Sequence, residues 1–142
     1  MDRKTEALTR IAMSTPGVKN GQVRMAAGIF YRDRLIASGV NQMKTHPLML
    51  NPAYRKDQTF LHAEVDAIRN ALKIVSREEL SKCELKVVRI KRPNFASKTW
   101  IHGLAKPCAG CSKVIENFGI TNVSWTEDAD ALGEYELDLC CH

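Results

Sequence analysis

The sequence predicts an α/β fold, a three-layer α/β/α sandwich built on one mixed β-sheet. Segments with a helical apolar period alternate with short β-rich runs in the order helix, strand, strand, helix, strand, helix, strand. The 142 residues are the length of one ordinary domain with a single sizeable core. No internal repeat or low-complexity stretch breaks this pattern, so one domain over residues 1–142 is expected.

The first helix runs from Asp2 to Ser14, where Ala7, Leu8, Ile11 and Ala12 share one face and Ser14-Thr15-Pro16-Gly17 ends it. Val23 to Phe30 reads as a strand, Tyr31-Arg32-Asp33-Arg34 as a turn and Leu35 to Val40 as the returning strand of a hairpin. Residues 41–60 have little periodicity and contain Pro47 and Pro52, the mark of a long loop. Leu61, Val65, Ile68, Leu72 and Val75 then form an apolar stripe on a helix from about Leu61 to Val75. Leu85 to Ile90 is the third strand. A third helix begins at Pro107, buries Val114, Ile115 and Phe118, and closes at Gly119. Asn122 to Thr126 is the fourth strand, and Tyr135-Glu136-Leu137 is expected to return as a short antiparallel edge.

No apolar run is long enough for a membrane span, and Met1-Asp2-Arg3-Lys4-Thr5-Glu6 lacks the apolar stretch of a signal peptide. A soluble cytoplasmic protein with no membrane partner is expected. Five cysteines make a disulfide framework improbable and a reducing compartment suitable. Cys83 reads as a small apolar residue, and Cys140-Cys141-His142, although rich in metal-ligand types, ends the chain. Charge is unevenly placed. Residues 1–126 hold all 21 Lys and Arg against 10 of the 16 acids, while the acidic segment 127–142 holds the other 6 and no base. A basic body suits a phosphate-bearing partner, a nucleotide or a polynucleotide, or else a solvated surface.

His62-Ala63-Glu64 and Pro107-Cys108-Ala109-Gly110-Cys111 carry the chemistry. One His and two Cys supply three ligands to a metal and leave the fourth tetrahedral position to water, the arrangement of a catalytic zinc site. Cys108 and Cys111 are three apart, which on a helix places both sulfurs on one face, and the helix N-terminus lowers their pKa values. His62 lies at the start of its own helix, so two helix N-termini converge on the metal. Glu64, two residues further round, is directed away from His62 and suits a proton carrier rather than a ligand. Each motif alone is weak, since C-x-x-C also occurs in redox motifs and zinc ribbons. Their joint occurrence in this order is strong.

These residues match the H-x-E and P-C-x-x-C signature of the zinc-dependent nucleobase deaminases, and the sequence resembles the cytidine and deoxycytidylate deaminase superfamily over a core of about 20–126. The resemblance implies a cytidine deaminase-like sandwich, Zn2+ as cofactor, and hydrolytic removal of an amino group as ammonia from a cytosine-type base. By the same resemblance, Glu64 moves protons from water to the ring nitrogen and the leaving ammonia. Asn41 falls where such enzymes place an Asn that bonds the sugar or base, a turn Asn being the plain alternative, and the Ala63 N–H falls where it can hold the base carbonyl. A homo-oligomer acting on a small-molecule nucleoside or nucleotide is implied. An editing enzyme acting on RNA or single-stranded DNA, and a non-catalytic zinc-binding interaction module, are the alternatives.

Residues 92–106 form an insertion before the cysteine motif, with Phe95 and Trp100 interleaved among Arg92, Lys98, His102 and Lys106. Such a stretch either stacks bases and meets phosphates or returns through Trp100-Ile101 as a packed strand, the reading favoured here. His46, His102, Arg24, Lys44, Arg55 and Lys56 are individually weak candidates for substrate or phosphate contacts.

Overall fold

The computed structural model describes residues 2–15, 24–42, 62–92 and 99–129. Helix α1 (Arg3–Ser14) opens at Asp2, whose carboxylate accepts from the Thr5 N–H at 2.7 Å. Strands β1 (Arg24–Tyr31) and β2 (Arg34–Val40) form the expected hairpin. Its two turn residues, Arg32 and Asp33, both have positive φ, 50° and 66°, the pairing that matches the twist of a tight hairpin.

The second helix, α2 (Ala63–Ala71), is shorter than its apolar stripe. Val65 and Ile68 are fully buried, but Leu72 is 36% exposed. The bonds after Ala71 tighten, with Lys73 and Ile74 donating to carbonyls three residues back. Ser76 then starts a further short helix, α3 (Arg77–Leu80), through a capping box in which the Ser76 hydroxyl accepts from the Glu79 N–H and the Glu79 carboxylate accepts from the Ser76 N–H. The sequence reading passed over that S-x-x-E signal.

Strand β3 (Glu84–Lys91) pairs antiparallel with β1 from Glu84 to Ile90. Its other edge is divided. Strand β4 (Ile101–Gly103) runs antiparallel beside Arg89 to Lys91, and β5 (Asn122–Trp125) runs parallel beside Glu84 to Val87. Among the described residues the sheet has five strands and is therefore mixed. Thr126 bridges the fork, its hydroxyl accepting from the Arg89 N–H and donating to the Gly103 carbonyl. The insertion thus returns as a strand, as favoured. Trp100 packs against the α1 side with the Arg24 and Arg92 guanidinium carbons 4.7 and 5.1 Å from its ring centre.

Alternation along the strands sorts the core into two layers. Ala27, Ile29, Leu85 and Val87 pack with α2 and with α4 (Ala109–Asn117) on one face of the sheet. Ala26, Phe30, Val88 and Ile90 pack with Leu8 and Ala12 of α1 on the other. Helices on both faces of a mixed sheet give the three-layer sandwich. The helix α4 begins later than expected: Pro107 lies before the cap, Cys108 is the N-cap, and Gly119 with φ 74° follows its C-terminus. The proposed Tyr135–Leu137 edge, most of the 41–60 loop, and Cys140, Cys141 and His142 lie outside the described residues. Among those described, no helix is long and apolar enough to cross a membrane.

Candidate metal centre and active site

Two helix starts form the site. His62 is the N-cap of α2 in extended backbone, and its imidazole makes no side-chain cap bond to the helix, which leaves the ring to turn towards α4. The Cys108 Sγ caps α4, accepting from the Cys111 N–H at 3.5 Å, so a thiolate sits where the helix dipole favours negative charge. His62 Nδ1 lies 3.1 Å from Cys111 Sγ and 3.7 Å from Cys108 Sγ. The ligand atoms of His62, Cys108 and Cys111 all fall within 4.8 Å of one another. Tetrahedral zinc with ordinary Zn–S and Zn–N bonds requires N and S about 3.5 Å apart, so the trio fits the ion.

The proton affinities of the trio are linked. Hydrogen bonding with Cys111, and then with His62, pulls the Cys108 thiol down to about 3. The same sharing with Cys108 pushes Cys111 up, and burial adds to it. Burial alone would lower His62, but its bond to Cys108 and the charges of Glu64 and Cys108 outweigh that and raise it. The cluster holds one thiolate beside retained protons, and a divalent cation would displace those protons on binding.

Glu64, in the first turn of α2, is 3% exposed. Burial raises its carboxyl above the ordinary range, against the pull of its own N–H and of His62, and it lies within hydrogen-bonding reach of Cys111. Ala63 is fully buried between the two. Asn41 is buried at the end of β2, where its Oδ1 accepts from the Met25 N–H at 3.0 Å and ties it to β1. The structure therefore brings His62, Glu64, Cys108 and Cys111 together and places Asn41 at the end of β2 that packs on α2.

His102 is not a loop residue. It lies on β4, 3% exposed, with Nε2 3.1 Å from the Thr9 hydroxyl on the α1 face of the sheet, away from the metal trio. Arg24 is on that face too, bonded to the Met13 carbonyl. His46, Lys44, Arg55 and Lys56 fall outside the described residues.

One residue that sequence reasoning passed over is Asp66. Its buried carboxylate accepts from the Val40 N–H at 3.0 Å, from Gln42 Nε2 at 2.9 Å, and from Arg69. Asn70 Nδ2 donates to the Ser38 carbonyl at 2.8 Å. Gly39 lets the two backbones touch, for a Cβ there would stand 2.2 Å from the Ala67 nitrogen. The end of β2 is thus stitched to α2 at the turn that carries His62 and Glu64. The available signal was an acid one helical turn after His62, between the apolar positions Val65 and Ile68.

The family model of the cytidine and deoxycytidylate deaminase zinc-binding region matches residues 3–127. The dCMP deaminase from the cyanophage S-TIM5 has a similar fold in two crystal structures. In its apo form it is 18% identical, with 93% of this chain and 90% of that chain covered and a TM-score of 0.54. In complex with dCMP and dUMP the values are 15% and 0.56 over the same shares. No curated protein sequence matches the chain.

Proposed function

The chain belongs to the family of the cytidine and deoxycytidylate deaminase zinc-binding region, and from that premise we propose that it hydrolytically deaminates a cytosine-type base in a free nucleoside or nucleotide. His62, Cys108 and Cys111 would hold the zinc. Bound there, zinc supplies a water made acidic enough to ionise near neutral pH. The carrying observation is the trio of ligand atoms within 4.8 Å, with no fourth His, Cys or acid joining them among the described residues. A closed structural site would use that fourth ligand.

Glu64 is the proton carrier. Its carboxylate would take one proton from the attacking water and deliver it to the ring nitrogen, then carry the second, from the hydroxyl formed on the ring carbon, to the departing ammonia, and its burial favours the protonated form from which it donates. The Ala63 N–H holds the base carbonyl, and Asn41, anchored to β1, contacts the sugar or base. Trp100 supports a free nucleotide over a polynucleotide: it is half-buried and already stacked with Arg24 and Arg92. We propose one domain over residues 1–142, working as a cytoplasmic homo-oligomer; Cys83, Cys108 and Cys111 take part in no disulfide, which suits a reducing compartment.

The test is a panel of cytidine, deoxycytidine, their mono- and triphosphates, and short RNA and single-stranded DNA, assayed by ammonia release and product mass. Free nucleosides or nucleotides should react. Turnover confined to the oligonucleotides would transfer the assignment to the editing alternative, and turnover of none would refute deamination.

A further inference from the structure

We infer that Asp66 is a positioning residue for substrate: one of its oxygens holds both chain neighbours of Asn41 and so fixes where the end of β2 presents Asn41 to the turn of α2 that carries His62 and Glu64. The inference deepens the deaminase reading and rests on it. Among the described residues the sheet ends at β2, so backbone groups on the outer edge of that strand meet no further strand. Two side chains of α2, four residues apart on one helix face, take the strand's place. Asn70 Nδ2 donates to the Ser38 carbonyl, and two residues along β2 the Val40 N–H donates to Asp66 Oδ2 at 3.0 Å. That same Oδ2 accepts from Gln42 Nε2 at 2.9 Å. Val40 and Gln42 are therefore held from α2 by a single atom. Asn41 between them is held from β1, its Oδ1 accepting from the Met25 N–H and its own N–H donating to the Met25 carbonyl at 3.4 Å.

The backbone of the same residue belongs to the metal turn. The Asp66 N–H donates to the His62 carbonyl at 3.0 Å and closes the first turn of α2, with Ala63 and Glu64 inside it. That bond does not depend on the carboxylate. The other carboxylate oxygen, Oδ1, is taken by Arg69, three residues further along α2, whose partly exposed guanidinium balances the buried charge. The two oxygens thus divide the work: Oδ1 meets the counter-charge and Oδ2 sets the position of Asn41. Losing Oδ2 releases Val40 and Gln42 together, and a bond to a charged acceptor is worth about 10- to 100-fold in such an equilibrium. Substrate then meets a population in which only a fraction of molecules hold Asn41 in place, and its apparent affinity falls by that fraction. Once substrate is bound, His62 and Glu64 stand as before. The effect therefore belongs in KM rather than in kcat.

The experiment compares Asp66→Ala, Asp66→Asn and Arg69→Ala with the parent, all zinc-loaded, by KM and kcat for cytidine, deoxycytidine and dCMP, by metal content, and by amide hydrogen exchange of the substrate-free proteins. Asp66→Ala should keep its zinc, raise KM by about tenfold or more with kcat within about threefold, and speed exchange at the Val40 amide by about tenfold or more. Asp66→Asn still offers an oxygen to Val40 and Gln42 but no charge to Arg69, and should hold KM and Val40 exchange within about threefold of the parent. Arg69→Ala removes the ion pair and leaves Oδ2 in place, so its KM should also stay near the parent value. Both of these variants lose the ion pair, which separates a general loss of stability from the loss of position. The role is overturned if either is as impaired as Asp66→Ala, if Asp66→Ala leaves KM and Val40 exchange unchanged, or if its loss falls on kcat or on zinc. A parent that turns over none of the three substrates refutes deamination and this role with it, whereas an active parent with any of those outcomes refutes the role of Asp66 alone.

Discussion

Replacing Gly39 by Ala tests whether the site depends on how closely α2 lies on β2. A Cβ at Gly39 would stand 2.2 Å from the Ala67 nitrogen, 2.6 Å from the Asp66 carbonyl carbon and 2.7 Å from the Ala63 oxygen, all backbone atoms of α2. To regain ordinary contact the helix must retreat by about 1 Å or more. That movement pulls on the Asp66–Val40 and Asn70–Ser38 bonds and shifts His62 and Glu64 away from the α4 cysteines. Overpacking against rigid backbone should cost about 3 kcal/mol, the upper part of the usual range. A 1 Å misplacement of reacting groups costs about 10²-fold in rate. Gly28→Ala is the control, since a Cβ there meets only side-chain atoms, of Leu8, Phe30 and Leu35, at 2.8 to 2.9 Å. Those ends can turn aside, so its cost should stay near 1 kcal/mol. Denaturant melts, zinc stoichiometry and kcat/KM measured on both variants decide the matter. A Gly39→Ala protein as stable and active as the parent, or no worse than Gly28→Ala, would refute the reasoning.

Other substitutions separate the parts of the site. Glu64→Gln should keep its zinc and its melting temperature while deamination falls by about 10² to 10⁴, the worth of general acid–base catalysis; loss of the metal instead would make Glu64 a ligand. Cys108→Ala removes both a ligand and the cap of α4, so elemental analysis should find no zinc and the midpoint of unfolding should drop. Burial holds His102 below its ordinary 6.5. The unfolded chain then binds the extra proton first, so stability conferred by neutral His102 is present above about pH 6.5 and is lost as the pH falls towards the folded-state pKa. His102→Gln should flatten that part of the stability profile, and an unchanged slope in melts between pH 5 and 7 would argue against it.

The features that the sequence alone determined are those encoded by near neighbours or by residue type. The 3.6-residue stripe of α1, the alternation of the hairpin and β3, and Gly119 at the end of α4 each depend on a few adjacent side chains. His62, Glu64, Cys108 and Cys111 were legible because few residue types can hold zinc and carry a proton. Tertiary structure decided the rest. Strand β4 is three residues long, too short to show a period, and exists because β3 offers an edge to pair with. Helix α2 stops before its stripe does because Leu72 meets solvent where Val65 and Ile68 meet the core. His102 and Asp66 look alike as isolated polar residues in the sequence. One is buried under α1 beside Thr9, and the other receives donors from Val40 at the end of β2, from Gln42 beyond it and from Arg69 of α2. What distinguishes them is the group across from each, brought there by pairing between residues distant in the chain, and no local pattern of side chains specifies that group.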